Sequence, residues 1–212
     1  MQYAVRRDCP CSGPCEPRTA YCKLVRLYHP RRLNVLETEL PGVLILEPKV
    51  FGDERGWFME TFNVDLFRKH GLPASFAQDN QSHSVAGVVR GLHYQLEQPQ
   101  GKLVQCVRGA ILDVAVDIRR SSPTFRQWIG VELTEENRRM LWIPPRFAHG
   151  FSVLSAEADV LYKCTTTWHQ PSDCSLLWND PDLRIDWRVT NPSLSPKDAA
   201  GQRLRDSPLF DS

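Results

Sequence analysis

The stretch Gly109-Ala110-Ile111-Leu112-Asp113-Val114-Ala115-Val116-Asp117 alternates large apolar side chains with small or acidic ones. A strand sends successive side chains to opposite faces, so Leu112, Val114 and Val116 share one face while Asp113, Ala115 and Asp117 take the other. The pattern predicts a half-buried strand of an antiparallel sheet. Outward from it, the apolar runs stay short and are punctuated by turn residues. Examples are Val43-Leu44-Ile45-Leu46 before Pro48 and Trp57-Phe58-Met59 after Gly56. Further strands are expected at 102–107, 128–133, 139–143, 150–154 and 159–164, with turns at Ser121-Ser122-Pro123 and Pro144-Pro145. Helix signals are rare. One covers 64–70 before Gly71, and another opens at Ser195-Pro196-Lys197-Asp198 with an N-cap serine, proline at N1 and an acidic N3. Many short strands with few helices indicate an all-β jelly-roll barrel with a few short peripheral helices.

At 212 residues the chain suits one core plus appendages. A composition 42% hydrophobic and 24% charged is globular and excludes a chain disordered throughout or a collagen-like repeat. No apolar run approaches the roughly 18 to 20 residues of a membrane-spanning helix. The net charge of +1 provides no whole-molecule field for nucleic acid, so an anion site must be local. Residues 1–35, however, hold seven basic and two acidic side chains. They also hold Cys9, Cys11, Cys15 and Cys22, set among prolines and glycine without a hydrophobic period. A zinc site would need paired spacing with a second, distant pair, which is absent, so no metal is expected. Residues 1–34 are expected to be a poorly ordered, dispensable extension or a start assigned too far upstream, with the folded domain at 35–212. Cys106, Cys164 and Cys174 lie within or beside apolar segments as small hydrophobes, and nothing demands an oxidising compartment, which suggests the cytoplasm.

Two histidines stand beside glycine-bounded turns, in Arg90-Gly91-Leu92-His93-Tyr94-Gln95 and in Pro144-Pro145-Arg146-Phe147-Ala148-His149-Gly150-Phe151. The second segment echoes the later half of the cupin pattern. Metal-dependent cupins use a His-x-His pair, and no such pair occurs in this chain, so a metal-free barrel site is expected.

Six ordered motifs then carry a resemblance over about 35–198. They are Phe51-Gly52-Asp53-Glu54-Arg55-Gly56, Gln78-Asp79-Asn80, Arg90 to Gln95, Gln100-Gly101-Lys102-Leu103-Val104, Phe147 to Phe151, and Leu194-Ser195-Pro196-Lys197-Asp198. Together they resemble the dTDP-4-dehydrorhamnose 3,5-epimerase family. The resemblance implies a metal-free cupin-type jelly roll without a cofactor, a homodimer whose first strand contributes an edge, and a dTDP-4-keto-6-deoxy-sugar substrate in dTDP-L-rhamnose biosynthesis.

Inverting a carbon beside a ketone requires a base on one face, a donor for the developing enolate oxygen and an acid on the other face. A free imidazole, with a pKa of about 6.5, is largely neutral at pH 7, which makes His93 the base; the bland alternative is a hydrogen-bonded core histidine. The family assigns its carboxylate partner to Asp198, which is equally an ordinary capping residue at N3. Tyr162 matches the family's proton donor, and Lys102 its enolate-stabilising group. A phenol is a slow acid unless cations lower its pKa, and Lys102 is the expected cation; the alternatives are a strand tyrosine with a wet hydroxyl and a solvated lysine. Arg55 and Arg90 are candidates for the phosphates, or else surface ion-pair partners. Glu60, Gln78, Asp79, Asn80, His149, Asp173 and Lys197 align with the family's substrate-contacting positions, and Phe51 and Trp168 offer stacking faces. Trp168 replaces a more usual tyrosine, and Asp173 a longer glutamate. The rival readings are an epimerase that inverts one centre only and a binding module with a decayed site.

Overall fold

A computed structural model of the chain describes residues 33–211. The cysteine-rich segment, and with it nearly all of the expected extension, lies outside the described residues.

Strands β1 (Leu33–Glu37), β2 (Leu44–Pro48), β5 (Gln78–Val85), β7 (Lys102–Arg108), β10 (Met140–Ile143) and β12 (Glu157–Cys164) form one sheet in the order β1-β2-β10-β7-β12-β5. Strands β6 (Val89–Gln95), β8 (Ala110–Asp117), β9 (Trp128–Thr134), β11 (Phe147–Val153) and β13 (Asp173–Ser175) form a second, in the order β13-β6-β11-β8-β9. A separate hairpin pairs β3 (Val50–Asp53) with β4 (Gly56–Met59). The helices are α1 (Val64–Lys69), capped by Asn63, and the single turn α2 (Pro196–Ala199), capped by Ser195. This is the jelly roll that the short apolar runs indicate, and β1 takes an edge. Among the described residues no helix is long and apolar enough to cross a membrane.

Strand β8 corrects the expectation of half burial. Its alternation is real, but both faces are buried. Ile111 and Ala115 pack with Val104, Leu141 and Val160 of the six-stranded sheet. Leu112, Val114 and Val116 pack instead with Val89 and Leu92 under Leu176, Leu183, Trp187 and Leu204 of the C-terminal segment. The more apolar face is therefore sealed by residues from the far end of the chain, and the acidic face looks into the barrel. Burial costs each aspartate its water, so each needs partners. Asp117 finds them in Arg119, Ser122 and Thr124. Burial pushes its carboxyl up, and those hydrogen bonds more than reverse this, holding it at about 2.

Strands β5 and β6, which carry two of the motifs, are too polar to announce themselves by apolar runs. The glycines of the motifs have a steric reason. A Cβ at Gly91, where φ is +113°, would stand 2.6 Å from the Cα of Gly150, and one at Gly150 would stand 2.6 Å from the carbonyl oxygen of Arg90. Only glycine allows β6 and β11 to approach this closely. The approach sets His93 directly opposite His149 in the antiparallel register.

Candidate active site

A cleft of about 320 Å³ opens into the barrel, lined by side chains of both sheets. His93, Gln95 and Asp173 come from the five-stranded sheet, and Gln78, Asn80, Lys102 and Tyr162 from the six-stranded one; Gln100, Trp168 and Lys197 come from connecting segments and α2.

His93 Nε2 lies 2.5 Å from Asp198 Oδ1. The expected helix start explains how. The Ser195 hydroxyl oxygen accepts the backbone N–H of Asp198 at 3.1 Å, while its O–H donates to Asp198 Oδ2 at 2.8 Å. The cap thus fixes the carboxylate rotamer, and the N3 residue of the cap is also the hydrogen-bond partner of His93. Burial pushes the Asp198 carboxyl up, but hydrogen bonds from His93, Ser195 and the Gly91 backbone, with the His93 charge, bring it below its ordinary value. An ionised Asp198 accepts the Nε2–H, which leaves the basic lone pair of His93 on Nδ1.

His149 has its own carboxylate, with Nε2 2.7 Å from Asp113 Oδ1, and both side chains are buried. Burial drives the His149 imidazole below its ordinary value, aided by the charges of Lys102 and His93 and opposed by Asp113. The second oxygen of Asp113 is buried without a hydrogen-bond partner. Burial also lowers the Lys102 ammonium, against the pull of Cys164, Asp113 and Asp173.

Tyr162 differs from expectation. Burial raises its phenol, with Cys164 adding to the rise; the cation that opposes it is Arg90, not Lys102. Tyr162 is therefore a protonated phenol at neutral pH. Arg90 is itself oriented by Ser84 Oγ at 3.0 Å and the His83 carbonyl at 3.1 Å, and it flanks His93 beside Ser195 and Asp198.

At the other end of the cleft, Trp168 is 54% exposed, so one ring face is available. Its indole N–H donates to Asp173 Oδ2 at 3.0 Å, which also accepts Lys197 Nζ at 2.6 Å. The Trp168 backbone N–H donates to Gln78 Oε1, and Gln78 Nε2 donates to Asn80 Oδ1. The shorter Asp173 therefore still reaches both of its neighbours.

Four expected residues lie elsewhere. Asp79 points to the opposite face of its sheet and accepts Lys163 Nζ at 2.8 Å. Phe51 and Arg55 belong to the β3–β4 hairpin, where Arg55 pairs with Asp53 at 2.5 Å and Lys49 Nζ lies 5.0 Å from the Phe51 ring. Glu60 follows β4, outside the cleft lining. The hairpin is fixed by local pairing of β3 with β4, so family alignment alone does not carry its side chains to the cleft of the same chain. Conversely, Asp113, Gln95, Gln100 and Arg146 belong to the site without having been singled out. Gln95 was legible by period, since it lies two residues from His93 on one strand. Among the described residues no three His, Cys, Asp or Glu side chains converge as metal ligands.

The sequence profile of dTDP-4-dehydrorhamnose 3,5-epimerase matches residues 37–206. The chain is 56% identical to the Shigella flexneri enzyme of that name over 180 residues, 84% of this chain and 99% of that one. Its fold matches the crystal structure of the Legionella pneumophila 3,5-epimerase in complex with dTDP-4-keto-L-rhamnose, with a TM-score of 0.80 and 51% identity over 82% of this chain and 94% of that one. It also matches a 3'-monoepimerase from Streptomyces bikiniensis, with a TM-score of 0.75 and 33% identity over 79% of this chain and 86% of that one. A profile match that spans every wall of the cleft, joined to these identities, shows that the chain belongs to the dTDP-4-dehydrorhamnose 3,5-epimerase family of isomerases.

Proposed function

We propose that the cleft inverts C3 and C5 of dTDP-4-dehydro-6-deoxy-D-glucose to give dTDP-4-dehydro-L-rhamnose. The observation that carries this is a base and an acid facing one cavity from different sheets: His93, backed by Asp198, on β6 and the protonated phenol of Tyr162 on β12. His93 Nδ1 takes the proton from the carbon beside the 4-keto group, and the C–H electron pair moves into the enolate. Lys102 supplies hydrogen-bond donors and charge for the enolate oxygen. Tyr162 returns a proton to the opposite face of the carbon as the ketone re-forms. A phenol raised by burial keeps its proton until a base as strong as an enolate carbon is presented. The imidazolium then loses its proton and the phenolate regains one before the second inversion, so each inversion exchanges hydrogen with solvent.

The nucleotide is read at the Trp168 end, where an open indole face adjoins the amides of Gln78 and Asn80. All these groups lie within 35–212, to which we assign the whole activity. The free thiols of Cys106, Cys164 and Cys174 agree with a reduced, cytoplasmic setting.

A homodimer is supported by the hairpin. Trp57 and Phe58 are 56% and 57% exposed, and Trp57 joins exposed Val107 and Leu161 around a largely apolar cavity of about 410 Å³ on the six-stranded sheet. Exposed apolar surface on this scale calls for a cover, and a second copy provides one. The same pairing gives Phe51, Arg55 and Glu60 a cleft to reach, that of the partner. Light scattering at micromolar concentration should show a dimer, and a monomer would refute it.

The reaction is tested by incubating enzyme and substrate in heavy water and counting deuterium by mass. Two exchanged positions are expected. One would assign the chain to monoepimerases, and none would make it a binding module.

A further inference from the structure

Trp168 turns more than half of its surface to solvent, so packing alone does not hold its ring. An open ring is a poor platform unless its backbone is fixed, because each freedom lost on binding weakens affinity. The peptide groups on both sides of Trp168 are gripped by one side chain, Gln95. Neither the motif reading nor the mechanism gives that residue a role.

Gln95 closes β6 and is buried. Its Oε1 accepts the His169 backbone N–H at 3.0 Å, and its Nε2 donates to the Thr167 carbonyl at 3.4 Å and to the Gln98 carbonyl at 3.0 Å. A glutamine amide presents an acceptor and two donor hydrogens side by side, which suits it to hold an N–H and two carbonyls at once. The Trp168 N–H goes to Gln78 Oε1 at 2.8 Å, on the other sheet. The indole N–H goes to Asp173, which pairs with Gln95 in the register of β13 and β6. Trp168 is thus tied to both sheets, and its ties to the five-stranded one converge on a single register position. Two more bonds lace segment 96–101 to segment 165–169. Thr166 Oγ1 donates to the Gln98 carbonyl, and Gln100 Nε2 donates to the Thr166 carbonyl, each at 2.9 Å. Gln95 bonds to both segments and stands at the centre of this lacing.

We infer that Gln95 is a positioning residue for nucleotide recognition: its buried amide holds the backbone on either side of Trp168, so that the ring face is set before the base arrives. The inference rests on the reading above that the nucleotide is bound at the Trp168 end. Gln95 lies two residues beyond His93 on the same strand, so the base and the support of the recognition platform share one rigid element. Removing the amide strips the His169 N–H and the Thr167 carbonyl of this partner, and the ring gains freedom that binding then has to remove.

A double-mutant cycle tests this, by calorimetric titration of dTDP into wild type, Gln95→Met, Trp168→Ala and the double variant. Gln95→Met keeps the length of the side chain and loses the amide. It should bind dTDP roughly three- to tenfold more weakly, and KM should rise by a similar factor with a smaller change in kcat. In the Trp168→Ala background the same substitution should weaken binding by less than about twofold, because the ring through which Gln95 acts is gone. Equal losses in both backgrounds would overturn the inference, since the amide would then act by touching the ligand itself or by supporting the fold at large. Undiminished affinity in Gln95→Met would overturn it as well. If Gln95→Met does not fold, Gln95→Asn, whose amide is one methylene too short to reach both segments, must show the same non-additive loss. Wild type that binds no dTDP, or Trp168→Ala that binds it as tightly as wild type, would overturn the nucleotide reading first, and this inference with it.

Discussion

Two histidine–aspartate pairs face each other across β6 and β11, and their surroundings give them different chemistry. The His93 side chain is 31% exposed and its aspartate 4%, whereas His149 and Asp113 are 8% and 0% exposed. Asp198 is satisfied on both oxygens by His93 and Ser195, while Asp113 spends one oxygen on His149 and leaves the other without a hydrogen-bond partner. The first pair has a fully supported carboxylate behind an imidazole that opens to the cleft, the arrangement of a base. The second is sealed, and burial keeps its imidazole neutral, with its Nε2–H given to Asp113 and only the Nδ1 lone pair left to accept a hydrogen bond. The residue types are the same, and burial together with hydrogen-bond supply separates their roles.

Substituting each carboxylate tests this division. Asp198→Asn should lower kcat by roughly 10²- to 10⁴-fold, because the neutral amide neither enforces the tautomer with its basic lone pair on Nδ1 nor stabilises the imidazolium. Steady-state rates near wild type would make the two pairs equivalent. Tyr162→Phe should reduce epimerised product by about 10²- to 10³-fold while proton abstraction at the sugar continues, since the phenol acts after the enolate forms. An undiminished product yield, read by NMR, would remove the acid from the six-stranded sheet. Asp113→Asn should cost only about tenfold in kcat with KM little changed, because the amide oxygen can still accept His149 Nε2–H. A loss as large as that of Asp198→Asn would show that both pairs carry protons.

The smallest effect concerns stability and pH. Burial depresses the His149 imidazole in the folded state, so the unfolded chain binds that proton first. Its contribution is fully present above the ordinary imidazole pKa of about 6.5 and declines as pH falls through the window below it. The melting temperature of wild type should therefore fall more steeply from pH 7 to pH 5 than that of His149→Gln. Parallel curves would mean that His149 does not titrate differently on unfolding.

The strands with apolar runs, such as β7, β9, β10 and β12, were legible because side-chain period and turn residues coincide there. Strands β5 and β6 were hidden by their polarity, which is also why they carry the site. The two-sided burial of β8 could not be read locally, since its cover comes from Leu176 to Leu204. His93, Asp198, Lys102 and Tyr162 were legible through motifs and do converge. The pairing of Asp113 with His149, and of Arg90 rather than Lys102 with Tyr162, depends on which strands become neighbours. Phe51 and Arg55 show the limit of transferring residues by alignment: a shared position in a motif fixes the residue but not whether the element that carries it lines the cleft.

The most direct test of the division between the two pairs is solvent deuterium incorporation into dTDP-4-dehydro-6-deoxy-D-glucose by His93→Ala beside His149→Gln. The account predicts no incorporation at C3 or C5 with His93→Ala, and slowed but complete incorporation at both with His149→Gln. Full exchange with His93→Ala, or its abolition with His149→Gln alone, would contradict it.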